Sequence, residues 1–139
     1  MYLLDTNVCI CLINQRSGYE RILKRMDGLA YGEVLISSIS TAELHYGVAA
    51  SAQVERNMLR LERFLAAFEA PPFNDDASRR YGVVRAFLKS RGMPIGPLDT
   101  LIAAHALALN AIVVTNNVDE FLRVPDLRVE DWLAGSGSS

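Results

Sequence analysis

Cysteine is scarce in this chain, with only Cys9 and Cys11, two positions apart. On a helix, residues at that spacing do not face each other. With no further cysteine or histidine nearby, a zinc site lacks its ligands. The pair reads as two small buried hydrophobes. There is no disulfide framework, no signal peptide and no apolar run of membrane length, so the expectation is a soluble, cytoplasmic protein without a membrane partner. No low-complexity stretch or sustained acidic block argues for disorder. A basic excess is also missing: 14 Lys and Arg face 16 Asp and Glu, a net charge of -2. Charge alone therefore does not mark a nucleic-acid binder. Setting aside three metal-holding acids would leave the remainder at +1, so the balance does not exclude RNA either. No G-x-S-x-G elbow, P-loop or G-x-G-x-x-G occurs, which leaves serine-hydrolase, ATPase and dinucleotide readings without anchors. Histidine is sparse too. His45 lies two residues from Glu43 on the same helix and faces elsewhere, and His105 reads as a hydrogen-bonded core residue. A histidine general base is the minor alternative.

Apolar residues are abundant. They make up 50% of 139 residues, enough for one domain, expected over 1–133, to bury a core without staples. Residues 134–139, ending in GSGSS, read as a flexible tail or a cloning remnant. Met1–Asn7 opens with the apolar run Tyr2-Leu3-Leu4 and stops on Asp5, Thr6 and Asn7, the pattern of a buried strand ending on a carboxylate. Asn7–Gln15 is expected to be a helix capped by Asp5, Thr6 or Asn7, and Tyr19–Leu29 an amphipathic helix closed by Gly28. Val34–Ser37 is a second strand. A helix starting near Ser40 and a stripe over Val54–Phe68 predict a helical hairpin or arm. Phe73 follows two prolines and is expected to open a short strand. Asp75 or Asp76 is the expected cap of the next helix, whose outer face carries Arg79, Arg80, Arg85 and Lys89. Leu98–Leu109 is apolar almost all round and reads as a buried helix. Ala111–Val114 is a third strand, Val118–Leu122 a helical turn and Leu127–Val129 a final edge strand. Short apolar strands alternating with helices predict an α/β domain with a central, mostly parallel sheet flanked by helices.

Three acids occupy comparable places in this scheme. Asp5 follows the first strand. Glu43 lies in Ser40-Thr41-Ala42-Glu43, which has the form of a capping box. Asp99 sits just inside a helix expected to start at Pro97, where a carboxylate complements the helix dipole. Taken singly, each reads as a capping device. In a parallel α/β sheet, however, helix N-termini gather beside the carboxyl ends of the strands, where ligands bind. Asp5, Glu43, Asp99 and the Thr115–Asp119 turn would then share one edge. Gathered carboxylates repel unless protonated or bridged by a cation, and oxygen donors without Cys or His suit magnesium or manganese. Such an ion activates water and clamps phosphodiester oxygens.

Four stretches, Met1-Tyr2-Leu3-Leu4-Asp5-Thr6-Asn7, Ile39-Ser40-Thr41-Ala42-Glu43-Leu44 with Gly47, Ile95-Gly96-Pro97-Leu98-Asp99-Thr100-Leu101-Ile102-Ala103-Ala104, and Val113-Val114-Thr115-Asn116-Asn117 before Glu120-Phe121, occur in an order and spacing that resemble PIN-domain ribonucleases. Specifically, they resemble the VapC toxins of VapBC toxin–antitoxin pairs, and the likeness covers nearly the whole chain up to Trp132. It implies a PIN domain and an Mg2+- or Mn2+-dependent endoribonuclease that cuts structured RNA such as tRNA or rRNA and inhibits translation. It also implies a homodimer restrained by a cognate VapB-type antitoxin. By position, Asp5, Glu43 and Asp99 match the family's metal-binding acids, with Thr6 and Thr115 as supporting polar residues. The fourth acid of the pattern is Asn117 here. Asn117 can offer a neutral oxygen or orient water, and Asp119 can compensate across the turn. The basic faces of Arg16, Arg21, Lys24 and Arg25, or of Arg79, Arg80, Arg85 and Lys89, would follow the RNA backbone. If an antitoxin binds, the apolar faces of Asn7–Leu29 and Val54–Phe68 are its docking grooves. Two alternatives stand beside this reading: a catalytically impaired PIN-like binding module, and a phospho-accepting receiver domain. The latter would need paired acids after one strand and a lysine after the last, neither of which is present.

Overall fold

The computed structural model describes residues 1–134. The first strand, β1 (Tyr2–Leu4), stands inside a four-stranded sheet of order β2-β1-β3-β4, with β2 at Val34–Ile36, β3 at Ile112–Val114 and β4 at Val129–Glu130. All the strand pairings are parallel, with Leu3 in register with Leu35 and Val113, and Leu4 with Ile36 and Val114. Alternation of side chains across a strand sends these two rows to opposite faces. Leu3, Leu35 and Val113 join a core completed by α5 (Asp75–Ser90) and α6 (Pro97–Leu109). Leu4, Ile36 and Val114 join a second core with α1 (Thr6–Ile13), α2 (Tyr19–Met26) and the pair α3 (Ser38–Ala49) and α4 (Val54–Leu65). A sheet covered on both faces explains why its strands read as continuous apolar runs. Cys9 and Cys11 are free and buried in the second core, and burial pushes the Cys9 thiol far up. Among the described residues, no helix is long and apolar enough to cross a membrane.

Several local expectations are corrected. Helix α3 starts earlier than Ser40: Ser37 is its N-cap, accepting the Ile39 amide at 3.0 Å. Glu43 therefore lies in the second turn, beyond reach of a capping box. Asn74 caps α5 by accepting the Ala77 amide, and Asp75 and Asp76 fall in the first turn beside the helix dipole. Phe73 starts no strand, because Pro71 and Pro72 remove the donors a ladder needs. The strand-like contact comes before them, where Glu69 bridges Leu35 in parallel and accepts the Ile36 amide at 3.0 Å. The last strand is Val129–Glu130 and not Leu127–Val129; Leu127 is buried in the first core. The α3–α4 hairpin forms but does not stand off as an arm. Leu61 is buried in the second core and Arg60 donates to the Ile13 carbonyl at 2.8 Å. Apart from Ala134, whose amide donates to Asp131, the expected tail lies outside the described residues.

His105, on α6, is buried and half satisfied. The Ser37 hydroxyl, which accepts the Ile39 amide, is hydrogen-bonded to Nδ1 at 2.8 Å. Nε2 finds no hydrogen-bond partner among the described residues. Burial holds this imidazole below its ordinary value, with the Pro72 carbonyl opposing without completing a hydrogen bond. Ser37 thus ties the start of α3 to α6. Ser37→Ala removes a cap and leaves a buried ring nitrogen unpaired, for an expected loss of about 2–4 kcal/mol, read from urea denaturation midpoints.

Candidate active site

The chain leaves β1 toward β2 on one side and later returns as β3 on the other, which makes the β1–β3 boundary the topological switch point of the sheet. Crevices at such a point, outside the carboxyl ends of the strands, bind ligands. Asp5 and Thr115 stand there, one residue beyond β1 and β3. Asp5 is only 2% exposed and both its oxygens are engaged. Oδ1 accepts the Val8 amide at 2.8 Å, making Asp5 the N-cap of α1, and Oδ2 accepts the Thr115 hydroxyl at 2.5 Å. The Thr115 oxygen in turn accepts the Asn117 amide at 2.9 Å. Capping and site-forming roles therefore coincide in Asp5.

Glu43 reaches the same edge from α3. Its Oε1 accepts the Thr6 hydroxyl at 2.6 Å, and the Ser40 hydroxyl lies 3.0 Å from Thr6. Asp99 arrives in the first turn of α6, after Gly96 and Pro97. The Asn117 side-chain amide lies 3.4 Å from Asp99 Oδ2 and also donates to Glu120, on α7 (Val118–Phe121). Asp119, expected as the compensating acid, is exposed and forms no hydrogen bond or ion pair among the described residues. The acid that meets the Asn117 side chain across the turn is Glu120. Helical spacing gives the reason: positions three apart share a face and positions two apart do not, so Glu120 faces Asn117 while Asp119 turns away. The residue was in the motif, and this spacing rule was the signal that picks it.

The electrostatics support one shared site. Asp5 is raised from 3.8 to about 6, chiefly by burial, with the Thr115 and Val8 hydrogen bonds opposing and the charges of Asp99 and Glu43 adding. Asp99 is raised first by burial, then by the charge of Glu120; the Asn117 hydrogen bond opposes and Glu43 adds. Among the described residues the one ion pair, Arg25 with Glu130, lies elsewhere. These carboxylates carry the cost of gathering without a compensating cation. No three acid, histidine or cysteine side chains among the described residues are drawn into a ready-made metal cage; Thr115 engages Asp5, Thr6 engages Glu43, and Asn117 engages both Asp99 and Glu120 instead. The donor chemistry, carboxylates and amide or hydroxyl oxygens without Cys or His, fits a hard divalent cation. His45 is exposed, and His105 is used by Ser37, so neither adds a ligand or a base to this edge.

Comparison with known proteins agrees with this architecture. The PIN domain family profile matches residues 2–127. Ribonuclease VapC2 of Rickettsia felis is 41% identical over 133 residues, spanning 95% of this chain and 98% of the relative. The tRNA(fMet)-specific endonuclease VapC of Salmonella typhimurium is 40% identical over 131 residues, spanning 94% and 97%. Among solved structures, VapBC2 from Rickettsia felis bound to a promoter DNA fragment superposes with a TM-score of 0.85 over 94% of this chain and 98% of that one, at 41% identity. DNA-bound VapBC from Salmonella typhimurium gives 0.87 over 94% and 97%, at 40% identity. With the matched profile spanning almost the whole described chain and relatives of this similarity aligned end to end, this chain belongs to the PIN-domain family, among the VapC ribonucleases.

Proposed function

We propose that the acid edge is the active centre of a metal-dependent endoribonuclease, the toxin of a toxin–antitoxin pair, which hydrolyses phosphodiester bonds in structured RNA and so inhibits translation. The observation that carries this reading is the convergence of Asp5, Glu43 and Asp99, from three separate elements, on the switch point of the sheet, where no cation among the described residues pairs with them. Asp5 and Asp99 would hold Mg2+ or Mn2+, with Glu43 as the third acid. When bound, such an ion lowers the pKa of water and stabilises charge on phosphoryl oxygens. The chain's own residues supply position. Val8 and Thr115 fix the two oxygens of Asp5, Thr6 fixes Oε1 of Glu43 and leaves Oε2 to orient the attacking water, and Asn117 restrains Asp99. The name of the Salmonella relative makes tRNA the first substrate class to test.

The test is incubation of the purified protein, without antitoxin, with total RNA and Mg2+ or Mn2+, cut ends being mapped by sequencing beside Asp99→Asn. Discrete metal-dependent cuts that vanish in the variant support the reading. No cuts from a folded protein that still binds the metal would make the chain a binding module.

A VapB-type partner accompanies the VapC chains in the similar complexes, and we place the partner of this chain on the groove between α1, α3 and α4. That groove, about 260 Å3, is walled by Ile10, Ile13, Leu44 and Val48 and reaches Glu43. It is built from parts of both segments that the sequence marks as docking faces. Met58, on the second of them, is partly buried against the core, so a charge there would test folding more than docking. Gly47 lines the groove, and a Cβ built on it meets nothing within 4 Å. Gly47→Phe is expected to fill the groove, keep the fold and weaken antitoxin binding at least about tenfold, measured by calorimetric titration. Unchanged affinity would move the partner elsewhere.

A further inference from the structure

The cations of the chain are unequally committed. On α2, Arg25 pairs with Glu130 and lies over Trp132, and Arg21 donates to the Leu133 carbonyl. That basic face serves the C-terminal segment. Arg123 and Arg128 likewise donate to the carbonyls of Pro94 and Asn110. On α5 the sequence gives one basic face, Arg79, Arg80, Arg85 and Lys89, but the structure divides it. Arg79 and Arg80 line a groove with Leu107, near the far end of α6, where Asp76 and Asp126 interleave opposite charge. Arg85 and Lys89 lie toward the other end, where α5 turns through the 91–96 loop into α6. That helix carries Asp99 in its first turn.

At this end is a cleft of about 480 Å3 lined by Tyr81, Arg85, Lys89, Ile95, Pro97 and Thr100 among others. No acid lines it. Gly96, between the lining residues Ile95 and Pro97, lies against the Asp99 carboxylate, where a Cβ built on it would sit 3.6 Å from Oδ2, so the cleft adjoins the acid edge. Its walls are set before any ligand arrives. The Tyr81 hydroxyl accepts from Arg85 Nη1 at 3.0 Å, and the guanidinium carbon lies 5.9 Å from the tyrosine ring centroid. Ile95 is buried, Gly92 turns the loop at φ +65°, and Arg123 pins the loop through Pro94. The Lys89 ammonium forms no hydrogen bond or ion pair among the described residues. Two cations at the mouth and apolar surface within match the parts of a nucleotide: phosphate outside, sugar and base against carbon.

We propose that this cleft holds one nucleotide of the RNA strand flanking the cut bond, its phosphate taken by Arg85 and Lys89 and its base set against Ile95 and Pro97. This inference rests on the nuclease reading above. It makes Arg85 and Lys89 substrate-positioning groups and Tyr81 the clamp that aims Arg85. Guanidinium and ammonium groups on a backbone phosphate also set the salt dependence of binding.

The test is steady-state cleavage by the full chain of a synthetic oligoribonucleotide spanning a cut mapped in total RNA, across a salt series. The double variant Arg85→Gln/Lys89→Gln is expected to raise KM about tenfold or more while kcat stays within about twofold, and to lower the salt slope by roughly 0.7 for each phosphate no longer neutralised. Tyr81→Phe is expected to raise KM by about two- to threefold, because Arg85 keeps its charge and is deprived only of its clamp. Arg79→Gln/Arg80→Gln is the control and is expected to match the unmodified chain. Equal KM for the Arg85/Lys89 variant and the unmodified chain overturns the cleft while leaving the nuclease intact. Equal losses in both double variants overturn it too, since diffuse charge then suffices. If the unmodified chain cuts no RNA under any metal condition, the nuclease reading fails first and this inference falls with it.

Discussion

Asp5→Asn is expected to lower RNA cleavage by about 10³-fold, in the range of losing a preorganised electrostatic group, while making the metal-free protein harder to unfold. The second half follows from the buried carboxylate. Its value of about 6, against an ordinary 3.8, corresponds to roughly 3 kcal/mol favouring the protonated form in the folded state. An acid whose folded value is raised contributes stability that is fully present below its unfolded value and is lost as pH rises through the folded one. For Asp5 that window runs from 3.8 to about 6. Above it, the folded metal-free protein holds a charge it would rather not have. Asparagine keeps an oxygen for the Val8 amide and removes the charge, at the cost of a poorer partner for Thr115, so a net gain of about 1–2 kcal/mol is expected near neutral pH. His105 titrates with the opposite sign, its lowered value giving stability that fades as pH falls. It is common to both proteins, so the difference between them reports Asp5 together with its coupling to Asp99 and Glu43. Urea midpoints in chelator are the measurement. The gap should close on acidification below the Asp5 window, and added Mg2+ should stabilise the unmodified chain and not the variant. A variant that is less stable than the unmodified chain at neutral and acid pH alike would mean that Asp5 matters as a cap, and that burying its charge costs little.

The same residue shows what a sequence can reveal. A short apolar run ending on a carboxylate both forms a parallel strand and puts an acid at its carboxyl end, so Asp5 was legible from local pattern alone. Asp99 was legible through Pro97, which fixes where its helix begins. Glu43 reaches the edge from the second turn of α3 and not from a capping box. The hydroxyl at Ser40 imitates a capping box, whereas Ser37 has the cap because its hydroxyl also meets His105, 68 positions away. No local rule contains that partner. The identity of α5's cap shows the smaller limit: Asn74, Asp75 and Asp76 are all competent caps, and only the path of the chain out of Pro71 and Pro72 selects the first. The division of α5's cations between two ends of one helix was likewise invisible, since helical periodicity assigns a face and says nothing of which end meets the site. Similarly, amphipathic spacing correctly paired α3 with α4 but could not tell a projecting arm from a hairpin laid on α1.

Asn117→Asp is expected to trade stability for metal affinity. Asn117 now donates toward Asp99 and to Glu120, and its hydrogen bond is what restrains the upward push on Asp99 from burial and from Glu120. An aspartate would withdraw both donations and add a third negative charge between two others. Without metal, the folded state should lose about 1–3 kcal/mol near neutral pH, the cost of unpaired buried polar groups, and recover part of it on acidification as the acids protonate. With metal, the new carboxylate would add a charged donor beside Asp5, Glu43 and Asp99, and Mn2+ affinity should rise about tenfold or more, on the scale of changing a residue that supports a metal site. Cleavage at limiting metal should therefore increase, while cleavage at saturating metal changes less. Titration calorimetry with Mn2+ and urea midpoints in chelator read the two effects separately. Glu120→Gln supplies the discriminating background, because it removes the charge that Asn117 manages. In a double-mutant cycle the destabilisation by Asn117→Asp should shrink there, since neighbouring charges couple and distant ones do not. If Asn117→Asp destabilises equally in both backgrounds and gains no metal affinity, position 117 is a structural joint between α6 and α7 and the ion is held by Asp5, Glu43 and Asp99 without it.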